Sequence, residues 1–366
     1  MTSSPLSDPA RIRSEVRTAL EEILAARRAE LAQISAPSAA LADRIAEFCE
    51  GGKMLRPRFA VLGALAIGEP TPELVHRLVQ VGAGIELVQA AALLHDDVID
   101  HSDVRRGRPA AHVAAARQHR SLGLAGDSAE HGIAVAIILG DLALTWARGT
   151  ADQALESTEH RAAATREFDA LCTEVMAGQH LDILNQAGGY EPGSPVDAAL
   201  DVIRWKTVPY TVLRPVRLGA RLMGASDMVL EGLTRWSVDI GTAFQLRDDL
   251  LGAIGASAAT GKPEAGDILE GKRTVLLAEA LSRASADDRE VLAPVLTASI
   301  AGEDQARLIA ETMRRTGAVE ATAQRIRGLE ADASQVLESL ELHEEGRSAL
   351  ASLGREACDL SALPLG

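Results

Sequence analysis

Aromatic residues are scarce in this sequence: Phe, Trp and Tyr make up 2% of 366 residues. A core must therefore be filled by aliphatic side chains and alanine, and hydrophobic residues, at 47%, supply ample material. Cysteine is also rare. Cys49, Cys172 and Cys358 are far apart and odd in number, which excludes a disulfide framework and predicts reduced thiols. Positive charge is in deficit, with 37 Lys and Arg against 52 Asp and Glu, a net charge of −15. That balance argues against nucleic acid or an anionic membrane surface as partner. An anionic substrate would have to meet a local basic cluster. No apolar run reaches the roughly 18 residues of a membrane span; the best, GIAVAIILG at 132–140, is about half that. The N-terminus, MTSSPLSDPARIRSEV, lacks the apolar core of a signal peptide. The expectation is a soluble, cytoplasmic protein with no nucleic-acid partner and no membrane span.

What the chain does have is helical periodicity. Asp8-Pro9 reads as a helix cap and first helical position, followed by Ile12, Val16, Leu20, Ile23 and Leu24 at helical spacing. A second apolar segment runs from Leu55 to Ile67 after Gly51-Gly52, and 80–100 is apolar nearly all round, as in a helix buried inside a bundle. Breaks fall near 121–131, 187–196 and 253–266, and no run alternates as a strand would. The predicted class is all-α, as one domain over 1–366.

The polar residues of 80–100 are not scattered. At 100° per residue Glu86, Gln89, Leu93, Asp96, Asp97 and Asp100 gather on one stripe. Like charges one turn apart repel, and at the edge of a buried helix they are poorly solvated. A divalent cation offsets this directly, and Mg²⁺ suits carboxylates shared with substrate phosphates. An ordinary solvated acidic helix end would also explain a lone DDxxD. The device recurs at FQLRDDLLG (244–252), where Gln245 precedes Asp248 and Asp249 by one turn. Basic residues stand in glycine- or proline-marked places: Lys53 and Arg56 in GGKMLRPR, Arg105 and Arg106 in RRGRP, Lys206 beside Thr207 and Pro209, and Lys262 and Lys272 in TGKPEAGDILEGKRT. Together with two acidic clusters this set suits two diphosphates, one held through Mg²⁺ and one by arginine and lysine.

GGKMLRP (51–57), DDVIDHSDVRRGRP (96–109), GQHLD (178–182), KT (206–207), FQLRDD (244–249) and GKPEAGD…GK (261–272) occur in an order that resembles the trans-isoprenyl diphosphate synthases of the polyprenyl synthetase family, over about 51–275. The resemblance implies an isoprenoid synthase-type helical bundle around a deep central cavity, normally a homodimer. It implies Mg²⁺ at Asp96, Asp100 and Asp248, with Asp97 and Asp249 completing the acidic set. Arg105, Lys206, Thr207, Gln245 and Lys262 would contact an allylic diphosphate, with Lys272 nearby. Lys53, Arg56, Gln89 and Arg106 would hold isopentenyl diphosphate, and Gln179 and Asp182 would line the cavity. Asp96, Asp100, Arg105, Lys206, Asp248 and Lys262 form the expected catalytic set. Met54 stands where the family usually has arginine, and Gly252 where many members carry a third aspartate. His95 and His112 fit the pattern in packing or supporting roles.

In this family a bulky aromatic just before the first cluster stops chain growth early. Ala91 and Ala92 leave the passage open, so the expected product is geranylgeranyl diphosphate, with a longer chain or farnesyl diphosphate as the alternative. Trp146 is a candidate floor, though core packing explains it equally well. Two rivals remain: a class I terpene cyclase, for which Ala256 fails the expected second metal motif, and a non-catalytic partner subunit, which would be expected to lose metal ligands that are kept here.

Overall fold

The computed structural model describes residues 8–255, 265–297 and 299–363. It is almost wholly helical, as the periodicity predicts. Asp8 caps α1 (Pro9–Ala32), its side chain accepting from the Ala10 N–H, with Pro9 in the first turn. Ser35 caps α2 (Ala36–Cys49) and Thr71 caps α4 (Pro72–Ile99) in the same manner, each ahead of a proline. Between them α3 (Leu55–Leu65) is buried along nearly its whole length. The loop before α3 needs unusual backbone: Gly51, Gly52 and Met54 all have positive φ, and Met54 is buried.

After α4 the chain forms a feature the sequence did not signal. Val104–Arg105 (β1) and Arg108–Pro109 (β2) pair antiparallel around Arg106-Gly107, both at positive φ. This is the left-handed two-residue turn that hairpins favour, with an arginine in a position that usually suits Asn or Gly. Two-residue strands are too short to show alternation. Then follow α5 (Ala111–Ser121), α6 (Ser128–Leu155), α7 (Arg161–Gln186) and α8 (Pro195–Val202). Two π-helical turns, Ile203–Thr207 and Pro209–Leu213, lead into α9 (Arg214–Leu222). Pro209 cannot donate a backbone hydrogen bond, and a widened turn is one response to that loss. The remaining helices are α10 (Asp227–Ile254), α11 (Gly266–Leu269), α12 (Val275–Arg283), α13 (Ala286–Leu296), α14 (Glu303–Arg315), α15 (Ala318–Ser339) and α16 (Glu344–Cys358).

Contacts gather into two compact units, each discontinuous in sequence. The first holds residues 1–168, 215–225 and 342–349; the second holds 169–214, 226–341 and 350–366. Within the first unit α4 packs extensively on α6. Both helices are long and apolar enough to cross a membrane by length and composition. Most of the apolar stretch of α4 is buried by its neighbours, whereas α6 leaves Ile133, Ile137 and Ile138 exposed. Within the second unit α10 packs mainly on α15.

Candidate active site

In the first unit the C-terminal end of α4 carries the first acidic cluster. Asp100 closes the helix, its N–H donating to the Asp96 carbonyl at 2.8 Å, so the two residues stand one turn apart. Both are half-buried. Asp97 differs. Its side chain is fully buried, and it accepts hydrogen bonds from Nε of Arg105, at 2.8 Å, and from Nη2 of the same residue. Burial raises the Asp97 carboxyl above its usual range, and the Arg105 guanidinium opposes the rise. Asp97 is thus engaged with Arg105 through two hydrogen bonds. A residue 100° round the helix from Asp96 points into the core, which the narrow stripe read from sequence did not resolve.

Lys53, Arg56, Arg105 and Arg106 lie in the same unit. Arg106 donates from Nη1 to the carbonyls of Phe48 at 3.2 Å and Glu50 at 2.7 Å. It thereby fastens the hairpin to the end of α2, next to the glycine loop that bears Lys53. Arg108 adds an exposed pair with Glu50 at 3.2 Å. On α4, Gln89 Oε1 and Glu86 Oε1 are buried without a hydrogen-bond partner. Burial raises the Glu86 carboxyl, while the nearby charges of Arg56 and Arg106 lower it. Glu86 lay on the stripe but drew no role from sequence. The structure brings it into the electrostatic range of two arginines expected to hold substrate. Ala91 is buried and Ala92 half-buried above it on α4. His95 rests on Gly140, its Nε2 3.2 Å from the Ile137 carbonyl and 3.5 Å from Asp141.

In the second unit Lys206 and Thr207 sit on the first π-helical turn. Gly178, in GQHLD, makes room for that turn: a Cβ there would lie 2.2 Å from the Lys206 backbone nitrogen. Lys206 Nζ pairs with Asp182 at 2.6 Å. Thr207 donates to Gln245 Oε1 at 2.7 Å, and Gln245 Nε2 donates to Asp249 at 2.8 Å. This links three of the predicted residues in one chain of hydrogen bonds. Asp249 is buried, and burial pushes its carboxyl up to about 7 despite the Gln245 hydrogen bond, with Asp267 and Asp248 adding to the rise. Asp248 is the more exposed of the pair and meets Arg247 at 3.2 Å.

Gly252 now has a physical reason. A Cβ at 252 would lie 1.8 Å from Oδ2 of Asp267, so the space belongs to a carboxylate from another part of the chain. Lys272 Nζ stands 3.6 Å from that carboxylate and 2.8 Å from Glu270. The acid spacing within FQLRDDLLG carries no signal for Asp267, which stands in GKPEAGDILEGKRT, five residues before Lys272. Lys262 lies outside the described residues. Trp146 is buried on α6.

The polyprenyl synthetase family model matches residues 38–313. A short-chain isoprenyl diphosphate synthase of Methanothermobacter thermautotrophicus is 31% identical over 275 residues, 74% of this chain and 75% of its own. A geranylgeranyl diphosphate synthase of Methanosarcina mazei is 31% identical over 277 residues, 74% of each chain. Among solved structures, a geranylgeranyl pyrophosphate synthase of Corynebacterium glutamicum, complexed with isoprenyl diphosphate and magnesium, is 37% identical and superposes with a TM-score of 0.90, covering 96% of this chain and 99% of that one. The chain belongs to the polyprenyl synthetase family and is a trans-prenyltransferase that elongates prenyl chains.

Proposed function

We propose that the protein condenses an allylic diphosphate with isopentenyl diphosphate in successive head-to-tail steps, ending at geranylgeranyl diphosphate. One observation carries the reading: the first unit holds a half-buried carboxylate pair, Asp96 and Asp100, and a separate cationic set around Arg56, Gln89 and Arg106. A condensation of two diphosphates needs both; a one-substrate cyclase needs only the first.

The donor set fits Mg²⁺. Asp96, Asp100 and Asp248 offer hard oxygen ligands, and among the described residues no three His, Cys, Asp or Glu side chains are grouped to hold a metal by themselves. Mg²⁺ held by a few carboxylates would keep positions for phosphate oxygens and water. When bound, Mg²⁺ would neutralise charge developing on a departing diphosphate.

The chain's own residues do the rest. Lys206, oriented by Asp182, and the Thr207–Gln245 pair would bind and polarise the allylic diphosphate. Lys53, Arg56, Gln89 and Arg106 would hold isopentenyl diphosphate with its double bond toward the allylic carbon. The C–O bond to diphosphate breaks, the double bond supplies the electron pair of the new C–C bond, and a proton leaves to the released diphosphate. Ala91 and Ala92 leave room for the tail, so Ala92→Phe is expected to shorten the main product toward fifteen carbons.

The exposed face of α6, with Ile133, Ile137 and Ile138, supports a second copy of the chain as its cover, a homodimer. The free thiols and acidic charge fit a cytoplasmic setting. Incubation with dimethylallyl diphosphate, isopentenyl diphosphate and Mg²⁺ tests the function. Elongated prenyl diphosphates that vanish on chelation are expected. A cyclised product, or no product, would contradict the reading.

A further inference from the structure

Arg247 is a charge in an unusual place. It directly precedes Asp248 on α10, yet its side chain is only 14% exposed. A charge so far out of water needs partners. Its Nε donates to the backbone carbonyl of Asp359 at 2.7 Å, and its Nη1 donates to Oδ1 of Asp248 at 3.2 Å. Adjacent residues on a helix diverge by about 100° and do not normally face each other. The contact between Arg247 and Asp248 therefore depends on the guanidinium being drawn in from outside the helix, and the Asp359 carbonyl does that.

That carbonyl is itself held. Gly354 lets α16 approach α10: a Cβ there would lie 3.2 Å from Trp236 Cζ2 and from Ile240 Cδ1. Cys358, at the end of α16, is buried with its Sγ 3.9 Å from the Ile240 carbonyl. The chain then turns. Asp359 accepts from the Ser361 N–H at 2.9 Å and from the Ser361 hydroxyl at 2.7 Å, and Leu363 is buried. All these residues lie in the second unit. Asp248, 43% exposed, has rotamer freedom to lose when it grips a cation, and a carboxylate fixed beforehand loses less. The positive charge of Arg247 works the other way, since it repels a cation. The two effects give opposite outcomes when Arg247 is removed.

We propose that Arg247 is a positioning residue for Asp248, held in place by the turn at 359–363. The inference rests on the reading above, in which Asp248 meets Mg²⁺. Two measurements on the full chain test it. Thermal unfolding midpoints are followed against Mg²⁺ concentration at fixed inorganic diphosphate, since a ligand of the folded state raises the midpoint. Isopentenyl diphosphate incorporation is followed against Mg²⁺ in parallel. Arg247→Met keeps the apolar stem and removes both hydrogen bonds. Its half-effective Mg²⁺ concentration is expected to rise about tenfold in both measurements, the equivalent of one hydrogen bond to a charged group, with the KM for isopentenyl diphosphate unchanged. Arg247→Lys keeps the charge without the planar fork and is expected to fall between the two. Asp359→Ala loosens the turn and is expected to give a smaller shift, one that adds nothing to Arg247→Met in the double variant. An unchanged or lowered Mg²⁺ requirement in folded Arg247→Met or Arg247→Lys protein would overturn the assignment, as would full additivity in the double variant. A wild-type chain that elongates nothing would overturn the functional reading, and this assignment with it.

Discussion

The two acidic clusters look alike as sequence and are built differently. On α4 all three aspartates come from one helix, and the middle one is buried to hold Arg105. On α10 only Asp248 and Asp249 come from the helix; the place of a third side chain at 252 is filled by Asp267 from beyond the helix end. One cluster is written out locally, and the other is assembled in space. A missing motif residue is therefore not the same as a missing group.

The comparison can be broken most sharply at Asp97. If it anchors Arg105, Asp97→Ala leaves a guanidinium without its buried partner and should cost about 3–5 kcal/mol, measurable by urea unfolding. A variant as stable as wild type would return Asp97 to the metal-facing set. At the second cluster, Gly252→Asp restores the family's motif yet should destabilise by about 1–3 kcal/mol, because the new side chain meets the Asp267 carboxylate. Adding Asp267→Gly should recover much of that loss, and thermal unfolding of the single and double variants reads the coupling directly.

The smallest effect concerns Glu86 on α4. Its folded carboxyl is raised above the unfolded value of about 4.3, so the folded state holds the proton more tightly. Its contribution is fully present below about pH 4.3 and is lost as pH rises through the raised value. Glu86→Gln keeps the shape without the titration, so unfolding midpoints of wild type and variant should diverge across that window. Parallel curves would show that burial does not tune this group.

Much of this was legible because helices repeat. Asp8-Pro9 marked the start of α1, the breaks near 121–131 and 187–196 marked loops while that at 253–266 lies largely outside the described residues, and the stripe put Asp96 and Asp100 one turn apart at the end of α4. What escaped depended on contacts between distant residues. The direction of Asp97 is set by packing around α4, not by its spacing. The role of Asp267 depends on how the chain returns after α10. The hairpin at 104–109 is fixed by two left-handed residues, one of them an arginine whose side chain is tied to carbonyls at the end of α2.

The central claim is that these two differently built clusters serve one metal-dependent condensation. The most direct measurement is isopentenyl diphosphate incorporation by Asp96→Asn and Asp248→Asn, assayed side by side in saturating Mg²⁺. Each variant should remain folded and lose turnover on the order of 10²–10³-fold. Wild-type turnover in either variant would contradict the account, because one cluster would then stand outside the reaction.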